Sequence, residues 1–126
     1  MAKSDGEARV LSLDDSCPTL PLVDGAGRAV ALVWPGMGAV HRSMHHVTLP
    51  ARGRTVRQRH PSEAVYYVAT GSGTVEDPDA GTHDVIVEGA MIHVEPGTAY
   101  RFAAGADGMV LIGGPCPPDP ALYQHL

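Results

Sequence analysis

The sequence lacks a long apolar run, an excess of positive charge and an amphipathic helical pattern. No apolar stretch in the 126 residues approaches the roughly 20 that a membrane helix needs. The formal charge of −5 argues against nucleic acid or an anionic membrane as a partner. The opening residues 1–7 lack the apolar core of a secretion signal, so we expect a cytoplasmic protein.

Cysteine is scarce as well. The two cysteines, Cys17 and Cys116, lie beside prolines near the two ends of the chain, and no sequence argument pairs them. We interpret both as structural thiols in a reducing compartment, with a disulfide left open. Neither cysteine adjoins a histidine or a helix start that would activate its thiol.

Glycine and proline, by contrast, are abundant, with 15 and 11 residues. This density disfavours long helices and favours short strands joined by turns. The length fits one domain with a single core. Apolar patterning predicts an all-β sandwich or barrel of about nine short strands. The predicted strands are residues 29–34, 43–49, 55–60, 64–70, 73–77, 83–87, 90–95, 98–102 and 109–112.

The chain divides into three predicted parts. Residues 1–27 are polar and turn-rich, which is typical of an N-terminal arm or edge segment. Residues 28–114 contain the predicted strands and form the barrel. Residues 115–126 form a proline-rich tail, which we do not expect to be a central strand, although residues 121–123 can pack as a short turn.

Alternation predicts which side chains face the interior. Along residues 54–60, Gln58 and His60 share one face, while Arg57 and Arg59 take the other. Because arginine prefers water, we predict that Gln58 and His60 point inward. Both faces of the next strand are apolar, which predicts that a second subunit of a homodimer covers the outer one. Cover by the N-terminal arm is the alternative. The inner set is Ala64, Tyr66 and Val68, and the outer set is Val65, Tyr67 and Ala69.

Two ordered motifs carry a resemblance to a known family. The first motif consists of Gly53, Gln58, His60, Ala64 and Gly71. The second motif consists of Gly89, the run Glu95-Pro96-Gly97, and Tyr100. Over about residues 44–112 the chain resembles the cupin superfamily. The resemblance implies a double-stranded β-helix, or jelly-roll barrel, around a small-molecule cavity.

The positions that hold metal in this family are largely changed. Metal-dependent cupins hold iron, manganese, nickel, copper or zinc with three His and one Glu. The matching positions here are Gln58, His60, Ala64 and Tyr100, of which His60 alone is a strong ligand. Glu63 lies one residue from the Glu position and faces the opposite side unless a bulge turns it. We therefore expect no cofactor, and a divalent transition metal with remodelled ligands stays open.

The other strand histidines leave one orientation open. His45 and His46 are adjacent, so one of them faces inward. If Val47 and Leu49 face the core, the inward residue is His45, whereas a polar cavity around Thr48 selects His46. His93 alternates with two apolar residues and is expected to face outward.

These residues suggest a mixed cavity that performs acid–base chemistry. We predict that His60 is the acid–base group and that Tyr100 hydrogen-bonds an oxygen where negative charge develops. Such roles suit an isomerase, cyclase or dehydratase acting on a small carbonyl-containing metabolite. Two alternatives are a metal-dependent oxygenase or lyase and a binding module without catalysis. The predicted substrate-binding residues are Gln58, Tyr66, Arg54, Phe102 and His46.

Overall fold

The computed structural model describes residues 6–126 and shows a barrel built almost entirely from strands. The first five residues of the predicted arm lie outside the described residues. Residues 6–126 form eight strands and two short 3₁₀ turns. The strands are β1 (Val23–Asp24), β2 (Arg28–Val33), β3 (Met44–Leu49), β4 (Arg54–Thr55), β5 (Glu63–Asp77), β6 (Thr82–Val87), β7 (Met91–Val94) and β8 (Arg101–Cys116), and the turns are Pro35–Met37 and Pro120–Tyr123.

The two longest strands, β5 and β8, form the frame of the barrel. They pair antiparallel from Glu63 opposite Cys116 to Glu76 opposite Arg101, with two register shifts between. Strands β3 and β4 pair with β8, and β2 and β1 extend them. Strands β6 and β7 pair with successive parts of β5. The result is a nearly closed barrel, so the all-β prediction is confirmed.

Glycines explain why four of the nine predicted strands merge into two, and β1, which lies within the predicted arm, is an additional short strand that brings the number to eight. Residues 64–70 and 73–77 belong to one strand, β5, and residues 101–102 and 109–112 to another, β8. A Cβ on Gly71 would lie 2.2 Å from the carbonyl oxygen of Gly108, and one on Gly73 would lie 2.0 Å from that of Ala103. These glycines permit close approach of two continuous strands, where the sequence pattern had suggested breaks. The predicted strand 55–60 shrinks to β4 and an isolated bridge between Gln58 and Tyr100.

The barrel interior divides into two parts along its strands. On β3, the inward residues run from His45 to Val47 to Leu49. Across the sheet, His45 lies opposite Gly113, and Val47 lies opposite Leu111. We call the well-packed part the apolar half: Val47, Leu49, Val68, Met109 and Leu111, all 3% exposed or less. We call the other part the polar end: His45, Gln58, His60, Tyr66 and Tyr100, with Asp119 and Tyr123 from the end of the chain.

The chain end closes the barrel over the polar end. Strand β8 continues through Pro115 and Cys116, past the predicted start of the tail, and Pro115 lies opposite Ala64 of β5. Residues 117–126, the C-terminal segment, then fold back and include the predicted short turn, Pro120–Tyr123. Among residues 6–126 no helix has the length and apolarity to cross a membrane.

Candidate functional site

Backbone hydrogen bonds between the two motifs hold the polar end together. The amide of Gln58 donates to the carbonyl of Tyr100 at 2.8 Å, and the Tyr100 amide donates back at 2.9 Å. The carbonyl of His60 accepts from the amide of Gly97 at 2.8 Å, in a turn where Gly97 has a φ of 77°. This turn favours glycine because its φ is positive. Together these bonds place Gln58, His60 and Tyr100 inside, at 6%, 3% and 2% exposure.

A continuous chain of hydrogen bonds runs through His60. Its Nδ1 lies 2.8 Å from Oδ2 of Asp119, and its Nε2 lies 2.8 Å from Oη of Tyr100. Oη of Tyr100 lies 2.6 Å from Oη of Tyr66. Because an ionised carboxylate only accepts, Asp119 holds a proton on Nδ1 of His60. A carboxylate, an imidazole and two phenols are therefore linked inside the barrel.

Burial controls the charge state of the two phenols. Desolvation raises the pKa of Tyr100 and that of Tyr66 well above the ordinary value of a tyrosine. Interactions with Tyr66 raise the pKa of Tyr100 further, and so does Asp119, because a phenolate there would face the negative charge of this carboxylate. Both hydroxyls are therefore protonated at neutral pH and each has a hydrogen to donate.

Either protonation state of His60 fits this chain. When His60 is neutral, Tyr100 donates its hydroxyl hydrogen to Nε2. When His60 is an imidazolium, Nε2 donates to Tyr100, whose hydroxyl then turns toward Oε1 of Gln58 at 3.3 Å or toward Tyr66. A proton can therefore arrive at or leave Nε2 without leaving a buried hydrogen-bond donor unpaired.

His45 is the inward member of the histidine pair. It is 0% exposed, and its Nε2 lies 2.7 Å from Oη of Tyr123, which also packs on Trp34. Among residues 6–126 its Nδ1 has no hydrogen-bond partner. Desolvation, with a smaller contribution from His60, lowers the pKa of His45 to about 4, so its imidazole is neutral near pH 7. A Cβ on Gly114 would lie 3.1 Å from Nδ1 of His45, so this glycine leaves space for the ring.

Two predicted substrate-binding residues lie away from the polar end. His46 faces the outside of β3, in a surface groove with Arg28 and Thr48, because Val47 and Leu49 take the core face. Arg54 is exposed and pairs with Asp24 at 3.0 Å. It points outward because its neighbour Thr55 is the buried residue of β4, so its predicted role in substrate binding stays a prediction.

Phe102, another predicted substrate-binding residue, lies inside the barrel, and Glu63 and His93 lie where alternation places them. Phe102 is 1% exposed and packs edge to face on Tyr66 and Tyr100, at centroid distances of 4.8 and 5.6 Å. Glu63 is exposed and lies 2.8 Å from Nε2 of His93, which faces outward as predicted. No bulge turns Glu63 inward, since it begins β5 in register opposite Cys116.

Sequence reasoning missed the partners that the C-terminal segment supplies. Asp119 and Tyr123 belong to a proline-rich stretch without strand alternation, and they reach residues far away in the chain. The Asp119-Pro120 pair does carry a local signal, since Asp is favoured before a short helical turn and Pro at its first position. Asp119 indeed accepts from the amide of Ala121 at 3.1 Å. That signal locates the turn but not the histidine it meets.

The residues present do not fit the metal site that the family resemblance implies. Both ring nitrogens of His60 are already bonded to Asp119 and Tyr100. Ala64 has no donor atom, and the raised pKa of Tyr100 keeps its phenol protonated. Among residues 6–126 no three His, Cys, Asp or Glu side chains converge as metal ligands. The expectation that the chain binds no metal stays a prediction.

Tyr100 also contributes to a groove in the barrel wall. This groove, which we call the side groove, has a volume of about 240 Å³ and lies between the β5–β6 hairpin and the β7 region. Its lining includes Val75, Ile92, Val94 and Ala99 beside Tyr100. Tyr100 therefore touches both the hydrogen-bond chain and a surface opening.

Comparisons with known proteins agree with this architecture. No family model and no curated protein sequence matches the chain. Among solved structures, the chain resembles the polyketide cyclase RemF from Streptomyces resistomycificus, with 22% identity, a TM-score of 0.68, and coverage of 96% of this chain and 94% of that one.

Two further structures show the same likeness. An RmlC-like cupin from Shewanella frigidimarina shares 17% identity, with a TM-score of 0.66 and coverage of 87% and 92%. A Klebsiella pneumoniae protein with a double-stranded β-helix domain shares 13%, with a TM-score of 0.70 and coverage of 88% and 91%. The chain therefore has the cupin fold, as its two motifs predict. At these identities the likeness concerns the fold alone.

Proposed function

We propose that this protein is an enzyme that transfers protons on a small carbonyl-containing metabolite, in an isomerisation, cyclisation or dehydration. The observation that carries the proposal is the buried chain from Asp119 through His60 to Tyr100 and Tyr66. An imidazole oriented by a carboxylate and facing protonated phenols combines a base with hydrogen-bond donors for a developing oxyanion.

The proposed reaction begins when a substrate carbonyl oxygen replaces Nε2 of His60 as the acceptor of the Tyr100 hydroxyl. Nε2 is then free to take the proton from the carbon beside that carbonyl, and the electron pair of the C–H bond forms an enolate. Asp119 stabilises the imidazolium through Nδ1–H, and Tyr100 stabilises the enolate oxygen. Return of the proton from Nε2 to another carbon, or to a leaving hydroxyl, completes isomerisation or dehydration.

Burial sets one condition on this reaction. His60 is 3% exposed, so a substrate reaches Nε2 only when part of the polar end opens. The remaining walls of the site are Gln58 and Phe102, which we propose orient the substrate. The solved cyclase RemF, of which 94% is covered, supports the proposal that a small metabolite is the substrate.

The test is exchange of carbon-bound hydrogen for deuterium, followed by NMR, on a panel of open-chain and cyclic β-diketones. We expect His60→Gln to lower the exchange rate on the best substrate by at least about 100-fold. The matched control is His83→Gln, which alters an exposed histidine of β6 and should keep the wild-type rate. A wild-type rate in His60→Gln would refute the proposal.

Two further measurements separate this function from its alternatives. Elemental analysis of protein purified without chelators tests for a metal, and a stoichiometric transition metal would favour a metal-dependent oxygenase or lyase. A metabolite that raises the melting temperature but is never converted would favour a binding protein. The proposed function depends neither on a bound transition metal nor on a metabolite that binds without being converted.

We also propose that the protein is a cytoplasmic homodimer. The outer face of β5 and its neighbours exposes Tyr67 and Met91, at 42% and 65%, beside Met44. The described part of the arm contacts other elements, since Arg9 hydrogen-bonds the carbonyl of Met37 and Thr19 pairs with Val30 of β2. Light scattering after size exclusion should show a dimer that Tyr67→Asp converts to a monomer. The control Val85→Asp, on an exposed site of β6, should stay dimeric, and a monomeric wild type would refute this proposal.

A further inference from the structure

The side groove has an apolar floor next to the proposed catalytic residues. Ile92, Val94, Ala99 and Tyr100 form this floor and are 8%, 7%, 2% and 2% exposed. A volume of about 240 Å³ lies just below the lower end, about 300 Å³, of pockets that hold drug-sized ligands. The groove therefore suits a fragment of one or two fused rings.

The rim of the side groove is acidic. Arg101 neutralises Glu76 at 2.6 Å, but the ion pairs among residues 6–126 include none of Asp77, Asp84 and Glu95. His93, a histidine on the rim, pairs with Glu63 outside the groove. Three carboxylates beside an apolar floor create a negative potential, because low-dielectric walls focus the field.

We propose that the side groove binds the non-reacting part of the substrate, and that this part is a flat apolar group whose outer end is neutral or positively charged. The inference rests on the proposed function, since Tyr100 connects the groove to His60. The floor supplies contact for the ring, and the rim disfavours an anion by like-charge repulsion.

Three probes with one ring system and different charge test this proposal. They are 2-naphthylmethylammonium, 2-naphthalenemethanol and 2-naphthoate, titrated into protein with 13C-labelled methyl groups. The ammonium and the alcohol should shift the methyl signals of Ile92 and Val94. The carboxylate should bind at least about fivefold more weakly than the ammonium at low salt. This difference in affinity should become smaller at about 0.5 M salt.

Variants of the rim should change the charge preference alone. The double variant Asp84→Asn/Glu95→Gln should bring the affinities of the ammonium and the carboxylate together. The control Asp107→Asn removes an exposed carboxylate outside the groove and should leave the difference in affinity between ammonium and carboxylate unchanged. Unshifted Ile92 and Val94 signals with all three probes, or equal binding of carboxylate and ammonium to the wild type, would overturn the proposal.

The failure of this inference is distinguishable from failure of the proposed function. Probe binding needs no turnover, so His60→Gln should bind the three probes as the wild type does. Normal probe binding with undiminished deuterium exchange in His60→Gln would reject the acid–base role and keep the groove. Absent probe binding with lost exchange would reject the groove and keep the acid–base role.

Discussion

The apolar half and the polar end share the same strands but are held together by different interactions. Strand β3 places His45 in one part and Leu49 in the other, four residues apart on one face. The apolar half gains free energy from close packing, which needs no particular partner. Each buried polar group in the polar end instead needs its own hydrogen-bond partner, since an unpaired one costs about 1–3 kcal/mol. The barrel therefore separates the part that stabilises the fold from the part that can perform chemistry.

The largest expected effect on stability comes from the apolar half. Leu111 is 0% exposed, and Leu111→Ala should lower the free energy of unfolding by about 3 kcal/mol through lost contacts and a cavity. Urea denaturation measures the change. The control Ile112→Ala removes a half-buried side chain on the other face of β8 and should cost clearly less. Equal losses for the two variants would mean that the apolar half does not dominate stability.

The polar end should make stability depend on pH. The pKa of His45 falls from 6.5 to about 4 on folding, so the unfolded chain binds a proton that the folded chain refuses. His45 therefore does not change the free energy of unfolding above pH 6.5, and it lowers this free energy as the pH falls from 6.5 toward 4. The loss amounts to about 3 kcal/mol at most. Urea denaturation at several pH values measures it.

A matched pair of variants assigns this pH dependence to His45. His45→Gln should flatten the stability profile between pH 4 and 6.5, whereas His83→Gln, at an exposed position, should leave it as in the wild type. An unchanged slope in His45→Gln would contradict the assignment.

A smaller effect is expected at the partner of His45. Tyr123→Phe removes the hydroxyl that bonds Nε2 and leaves His45 with both ring nitrogens unpaired among residues 6–126. We expect the free energy of unfolding to fall by about 1–2 kcal/mol. Thr48→Val removes an exposed hydroxyl on the outer face of β3 and should have almost no effect. Thermal or urea denaturation compares the two, and similar losses would show that the buried bond adds nothing.

The smallest effect on stability should occur at Asp119. Asparagine keeps an oxygen that accepts from Nδ1 of His60, but its amide nitrogen replaces the oxygen that accepts from the amide of Ala121, so Asp119→Asn should cost about 1 kcal/mol. It removes the negative charge that stabilises the imidazolium, so the deuterium exchange rate should fall by about tenfold or more. Denaturation and exchange assays on the same preparation measure both. A large loss of stability with unchanged exchange would make Asp119 a structural residue only.

The inward set of the polar end was largely predictable because period-two alternation is a local property. Arg57 and Arg59 lie outside, which fixes Gln58 and His60 inside, and Tyr66 follows from the apolar alternation of β5. The choice between His45 and His46 was not predictable, because Val47 and Thr48 give opposite answers until the core side is known.

The contacts of the C-terminal segment were beyond a sequence pattern. Asp119 and His60 are 59 residues apart, and nothing local in either stretch encodes the pairing. Gly71 and Gly73 led to a predicted strand break where β5 is continuous. A glycine that ends a strand and one that lets two strands approach look alike in sequence. Only the tertiary arrangement distinguishes these roles.

The hydrogen-bond chain from Asp119 through His60 to Tyr100 is tested most directly by NMR of the histidine ring protons. We expect His60 to show a downfield Nδ1–H signal that exchanges slowly with water, vanishes in His60→Gln and shifts in Asp119→Asn. A His60 ring whose N–H exchanges as fast as that of exposed His83, with no response to Asp119→Asn, would contradict the account.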